Sequence, residues 1–178
     1  MAAYLITGPN GSGKSTAGRE LVRRGYVVTE TDIESGISGW FENVTGKRLN
    51  TLPPHPLSKA WMAEHSWLWD RQRIQEIADE HQGDIVFFVG GAYNQKDMYN
   101  LFDKHFTLFV DDKTATQRLQ ARGEGDRWQN GSAELQKTLD WNHKSKQHAV
   151  EVGSVLVDSS RPVEVIVDEI LGAIGVKS

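Results

Sequence analysis

Short apolar runs alternate along this chain with longer stretches whose apolar positions recur every three or four residues. Runs of the first kind suit strands buried on both faces; stretches of the second kind suit helices with one wet side. Their alternation predicts a parallel sheet wrapped by helices. Strands are predicted at residues 4–7, 26–30, 85–89, 107–110 and 155–157. The clearest helix is the last, where Val163, Ile166, Val167, Ile170, Leu171 and Ile174 keep to one face and Pro162 suits the first turn. A further helix is predicted to start at Asp112 as its cap, carrying Arg118 and Arg122 four residues apart on one side.

Two stretches exceed a minimal strand–helix repeat. Residues 33–83 insert about fifty residues between the second and third strands, far beyond a usual connection. This insert holds Trp40, Trp61, Trp67 and Trp69, and a bend at Pro53, Pro54 and Pro56. Leu57, Trp61 and Leu68 share helical spacing, which assigns part of the aromatic set to the core. Residues 122–131 are charged and rich in glycine, and read as a mobile loop.

The length of 178 residues fits one domain spanning 1–178. With 38% hydrophobic and 25% charged residues, the composition is that of a folded globular chain. The net charge of -4 argues against a nucleic-acid partner. Cysteine is absent, which removes disulfides, thiolate metal sites and thiol nucleophiles from consideration. His55, His65, His143 and His148 show no metal-ligand spacing. The apolar residues 4–6 are too few for a secretory leader, and no run approaches the ~18 residues of a membrane span. A cytoplasmic protein without membrane contact is the expectation.

The most specific motif is Gly8-Pro9-Asn10-Gly11-Ser12-Gly13-Lys14-Ser15, which fits G-x-x-x-x-G-K-[ST] between a predicted strand and a predicted helix. Glycines let successive backbone N–H groups point at phosphate oxygens, and the following helix adds its positive end. Lys14 supplies a cation for the outer phosphates, Ser15 a hydroxyl for Mg2+, and Thr16 extends the cradle. The expected ligand is ATP with Mg2+.

Order along the rest of the chain resembles the small P-loop kinases of the shikimate kinase, gluconate kinase and adenylate kinase-like group. Residues 30–41, ending at Gly46, resemble the acidic-x-Asp string that in shikimate kinases precedes a small-residue helix and a second glycine. Gly90-Gly91 resembles the glycine turn beneath the acceptor. Arg118 and Arg122, leading to Arg127, resemble the lid arginines, and residues 157–162, with Ser160, Arg161 and Pro162, resemble the segment around the adenine. The resemblance implies a three-layer α/β P-loop NTPase fold with a five-stranded parallel sheet, and a monomer or homodimer. It also implies an ATP phosphotransferase acting on a small-molecule acceptor with a hydroxyl group.

Within that scheme Lys14, Arg122 and Arg127 would neutralise the moving phosphoryl group, with Arg118 beside the adenine. Asp32 would activate or orient the acceptor hydroxyl, and with Glu30 would approach the metal. Asp32 equally suits a cap at the next turn. Arg48, after Lys47, falls where shikimate kinases hold an acceptor carboxylate, and equally suits a solvated turn. The insert 33–83 would choose the acceptor, and 122–131 would be a lid that is poorly ordered without ligand. Ala92 replaces the third glycine of a shikimate-type turn, and the strings of adenylate and gluconate kinases are missing. A nucleoside monophosphate kinase, a polynucleotide kinase and a non-kinase ATPase or switch module are the alternatives. No guanine motif of the N-K-x-D kind is present. An AAA-type ATPase would need an hhhhDE strand with sensor and helical-lid elements after it. Leu108-Phe109-Val110-Asp111-Asp112 resembles only the first of these.

Overall fold

All five predicted runs are strands, and their mutual pairing is parallel throughout. The computed structural model describes residues 2–32, 34–51 and 58–176. In chain order the elements are β1 (Ala2–Thr7), α1 (Lys14–Arg23), β2 (Val27–Glu30), β3 (Ser38–Glu42), α2 (Lys59–Glu64), β4 (His65–Trp69), α3 (Arg71–Glu80) and β5 (Ile85–Val89). A 3-10 helix (Gln95–Leu101) leads to β6 (Lys104–Phe109) and α4 (Asp112–Gln120). A 3-10 turn (Gly125–Trp128) then precedes α5 (Ala133–Glu151), β7 (Val155–Asp158) and α6 (Val163–Ala173).

The main sheet runs β2-β5-β1-β6-β7, with β1 at its centre. Alternation along the strands divides the core into two layers. Ile6, Phe87, Val89, Phe106 and Leu108 pack with Leu21 of α1 and Ile166, Val167 and Ile170 of α6. Leu5, Val86 and Phe88 face the other way, against Ile74 and Ile77 of α3, Met98 and Trp69. Every strand ends in the same direction, so the loop after β1 and the ends of β2 and β5 meet at one edge, where open α/β sheets hold their ligands.

The insert departs from expectation. The helix implied after the acidic string is a strand instead: β3 pairs antiparallel with β4, placing Trp40 opposite Trp67 and Ser38 opposite Trp69. Aromatic side chains gain more from cross-strand pairing than from a lone helical turn. Trp40 meets Trp61 edge-on at 4.8 Å and Trp67 at 5.4 Å, while Trp61 stacks on His65 at 4.1 Å. Leu68 is therefore a strand residue, not a helical neighbour of Trp61. Pro53, Pro54, His55, Pro56 and Leu57, named above, and residue 33 at the start of the insert lie outside the described residues.

Two bridges hold the hairpin to the body. Trp69 is buried in the second core layer. Asn94, after β5, accepts from the Trp69 amide at 2.9 Å and donates to its carbonyl at 3.0 Å. Helix starts also shift by one residue from the sequence reading. Asp111, not Asp112, caps α4, accepting from the Thr114 amide at 2.8 Å. Asp112 instead takes Asn142 and His143 of α5 at 3.1 and 2.8 Å. Pro162 is the cap of α6 rather than a residue of its first turn.

Candidate active site

The chain after β1 turns so tightly that position 8 admits no side chain. Gly8 has φ 145°, and a Cβ there would run into the Leu108 carbonyl. Helix α1 then begins at Lys14 from Gly13, with no side chain capping its first N–H groups. Those donors and the positive helix end are left for an anion. Lys14 folds back over the loop, its Nζ donating to the Gly8 and Pro9 carbonyls at 2.8 and 2.9 Å. Burial, reinforced by the charge of Arg122, lowers its pKa to about 8, against the opposing pull of Glu30.

Beside the loop opens a cavity of about 630 Å³. Gly11, Gly13, Lys14, Ser15 and Thr16 form its floor, and Arg19, Arg118, Arg122 and Arg161 supply four further cations. Val163 and Ile166 form an apolar wall. Arg118 donates to the Ser159 carbonyl at 2.8 Å and reaches Gly11 O at 3.4 Å. The buried Ser159 hydroxyl lies 2.5 Å from Ser12 O and 2.9 Å from Phe109 O, tying the loop to the end of β7. Arg161 donates its Nε–H to Asp158 O at 3.0 Å and pairs with Glu169. Five cations around one cavity suit a polyphosphate, and the apolar Val163 and Ile166 suit a base.

Several predicted residues meet here and some do not. Lys14, Ser15, Thr16, Arg118, Arg122 and Arg161 share the cavity. Gly8 and Ser12 shape the loop beneath it, Asn10 is exposed, and Ser160 and Pro162 flank Arg161. Arg127 is not among the cavity residues. Its Nη1 donates to Glu124 at 3.0 Å, and its guanidinium lies 4.5 Å above the Trp128 ring. The segment 122–131 is more than a glycine loop, since Trp128 is only 3% exposed and packs with Leu119 and Leu135. Arg19, Val163 and Ile166 also line the cavity without having been site candidates from the sequence, whereas Ser159 falls within the predicted 157–162 segment. Arg19 was within reach, standing four residues after Ser15 on the same helical face.

At the end of β2, Glu30 pairs with Val89 of β5 in register, and its carboxyl lies near Ser15, Lys14 and Asp32. Desolvation, then the nearby Asp32 charge, raise its pKa, while Lys14 and Ser15 oppose the rise. Asp32 Oδ1 accepts the Ser35 amide at 3.0 Å, so this residue caps a turn two positions beyond the end of β2. Gly90, at φ 152°, has no room for a Cβ because the Thr31 hydroxyl occupies that space. Its amide donates to Ile6 O at 3.0 Å, bringing the ends of β1, β2 and β5 together. Gly91 faces the Gln95 side chain.

The Ser15 hydroxyl beside Glu30, with Asp32 close enough to perturb that carboxyl, is a hard-oxygen set of the kind Mg2+ takes alongside waters and phosphates. Groups of three or more His, Cys, Asp or Glu able to enclose a metal are absent among the described residues. Arg48 is engaged elsewhere, donating to the carbonyls of Gly36 at 2.7 Å and Ser38 at 2.8 Å.

The loop, parallel sheet and cationic cavity define a P-loop nucleotide-binding protein. A family model described as an AAA domain matches residues 5–139, and the chain belongs to that family. The match runs from β1 into α5. Although the AAA-type reading was set aside from the sequence, membership gives the chain the AAA description; Asp111, which prompted that comparison, is a helix cap. No curated protein sequence matches the chain. Among solved structures, a shikimate kinase from Acinetobacter baumannii in complex with shikimate aligns with TM-score 0.61 at 17% identity, over 98% of this chain and 93% of that one. A gluconokinase from Sinorhizobium meliloti 1021 gives TM-score 0.54 at 20% identity, over 97% and 91%. A deoxyadenosine kinase from M. mycoides with bound dATP gives 0.51 at 18%, over 97% and 98%. The architecture is thus that of the small P-loop kinases. Among the described residues no helix is long and apolar enough to cross a membrane.

Proposed function

We propose that the protein is an ATP-dependent phosphotransferase that moves the γ-phosphoryl group to a hydroxyl of a small metabolite or nucleoside. The observation that carries this reading is the adjacency of two unlike halves. A cavity ringed by Lys14 and four arginines adjoins a carboxylate-bearing strand end at Glu30 and Asp32. A binding switch needs only the first half.

In the reaction the acceptor hydroxyl oxygen forms a bond to the γ-phosphorus as the bond from that phosphorus to the β-bridging oxygen breaks. ADP leaves, and the hydroxyl proton passes to the Asp32 carboxylate. Loop amides and Lys14 hold the phosphates, moving the Nζ donors from Gly8 and Pro9 carbonyls to phosphate oxygens. Arg118 and Arg161 position the nucleoside end, and Arg122 neutralises charge on the transferred group, joined by Arg127 once Glu124 releases it. Mg2+, held by Ser15 with Glu30 and Asp32 nearby, would neutralise charge on the β- and γ-phosphates when bound. Gly90 and Gly91, closed on their side-chain faces by Thr31 and Gln95, would form the turn beneath the acceptor.

The test is ADP release across sugars, hydroxy acids, nucleosides and nucleoside monophosphates. Asp32→Asn should bind ATP nearly as the parent does and transfer nothing. Unchanged turnover in both Asp32→Asn and Arg127→Ala would overturn the mechanism. ADP release with monophosphates alone would turn the reading to a nucleoside monophosphate kinase.

A further inference from the structure

We infer that the acceptor is electrically neutral: a hydroxyl compound without a carboxylate or phosphate. This rests on the kinase reading above and narrows it. An anionic acceptor is ordinarily held by arginine, whose planar fork matches two oxygens at once. The residues between β2 and β5 have three arginines, Arg48, Arg71 and Arg73, and each is already engaged within the chain.

Arg48 donates to the Gly36 and Ser38 carbonyls, closing the start of the hairpin. It lies flat across Gly39, where a Cβ would come within 2.7 Å of its Nε. Arg71 donates to Asp97 O and Asn100 Oδ1 at 3.0 and 2.9 Å. Arg73 contacts Glu76, Glu80 and the Ser35 carbonyl. Redirecting Arg48 would leave the Gly36 and Ser38 carbonyls without their charged donor, and Arg71 and Arg73 would have to give up their present contacts to turn toward a ligand.

The lysines are poorly placed to substitute. Lys47 lies in the turn beyond Glu42, which is four residues along β3 from Ser38, about 13 Å at the strand rise. Lys59 opens α2, which joins β4 at that same distant end, since His65 pairs with Glu42. Lys96, after the glycine turn, is exposed and followed by Asp97. The residues outside the described set in this insert include neither Lys nor Arg. Over residues 33–83 seven acids outnumber five lysines and arginines, so the insert repels anions on balance. The half-buried Trp40 and Trp67, packed edge to face, suit the uncharged face of a sugar or nucleoside. Cations line the donor cavity, whereas the acceptor side presents carboxylates and indoles.

The experiment uses the full-length protein, Mg2+ and ATP, following ADP release with neutral polyols, sugars and nucleosides, and with hydroxy acids, sugar phosphates and nucleoside monophosphates. Neutral compounds should be turned over, with an acceptor KM that changes less than twofold between low and high salt, while the KM for ATP rises. Turnover confined to anionic acceptors, or an acceptor KM that climbs with salt, would overturn the inference and leave the kinase reading standing. Nucleotide binding by calorimetry with no ADP release from any acceptor counts against the kinase reading itself, and the inference falls with it.

Discussion

Glu124 Oε2 accepts hydrogen bonds from Arg127 and from the Trp128 indole, both at 3.0 Å. The same carboxylate stands 4.0 Å from Arg122. One acidic residue therefore contacts both arginines assigned to the transferred phosphoryl group, and it competes with phosphate for them.

Glu124→Gln should tighten ATP binding. The amide oxygen can still accept from Trp128, but the charge that retains Arg127 is gone. Exposed ion pairs are weak, so the KM for ATP should fall by about two- to fivefold. Arg127→Ala should instead lower kcat by about 10²-fold, the scale of one lost transition-state donor. Steady-state kinetics separates the two; an Arg127→Ala enzyme of normal kcat would remove this arginine from the mechanism.

Lys14 makes nucleotide affinity depend on pH. Its pKa of about 8 without ligand lies below the ordinary 10.5 because burial and Arg122 disfavour the cation. Phosphates favour the cation, so the nucleotide complex binds a proton that the unliganded protein lacks above pH 8. ATP affinity should weaken as pH rises through 8 and beyond, with proton uptake in calorimetry run in two buffers. For folding the sign is opposite. The unfolded chain holds this proton up to 10.5, so the penalty of burying the cation is full below pH 8 and fades between 8 and 10.5.

Gly90→Ala should cost about 1–3 kcal/mol, because the new methyl meets the Thr31 hydroxyl at a backbone angle that side chains rarely adopt. Adding Thr31→Ala should recover part of that loss by removing the obstruction. Urea denaturation of the single and double variants measures both effects, and no recovery would show that the backbone angle alone is responsible.

Arg48→Met should destabilise the protein by about 1.5–3 kcal/mol, since two carbonyls lose a charged donor. Thermal unfolding reads this directly. An unchanged midpoint would mean that water replaces the guanidinium without loss.

The donor side was legible in the sequence because its signals are local. Gly8, Gly13, Lys14 and Ser15 must stand at fixed spacing for backbone amides to converge, and the five strands announce themselves by unbroken apolar runs. Helical spacing put Arg118 and Arg122 on one side of α4 and the family resemblance supplied their role, while Arg19 was open to the same spacing argument. The hairpin was not legible, since Trp40 and Trp67 are 27 residues apart and their pairing is a tertiary fact. Nor could spacing show that Arg48 would turn inward to Gly36 and Ser38, or that Glu124 would engage Arg127. Such choices depend on which carbonyls and carboxylates the folded chain brings close.

Asn94 grips Trp69 through both its amide and its carbonyl, and Trp69 ends the strand that carries Trp67. Only two residues, Ala92 and Tyr93, separate Asn94 from Gly90-Gly91. If the hairpin and the glycine turn bound the acceptor as proposed, wall and floor would be one mechanical piece, and a molecule pressing on the hairpin would tilt the glycine turn with it. Choosing the acceptor and aiming its hydroxyl would then be a single event, and a compound that fitted the wall badly would also be aimed badly.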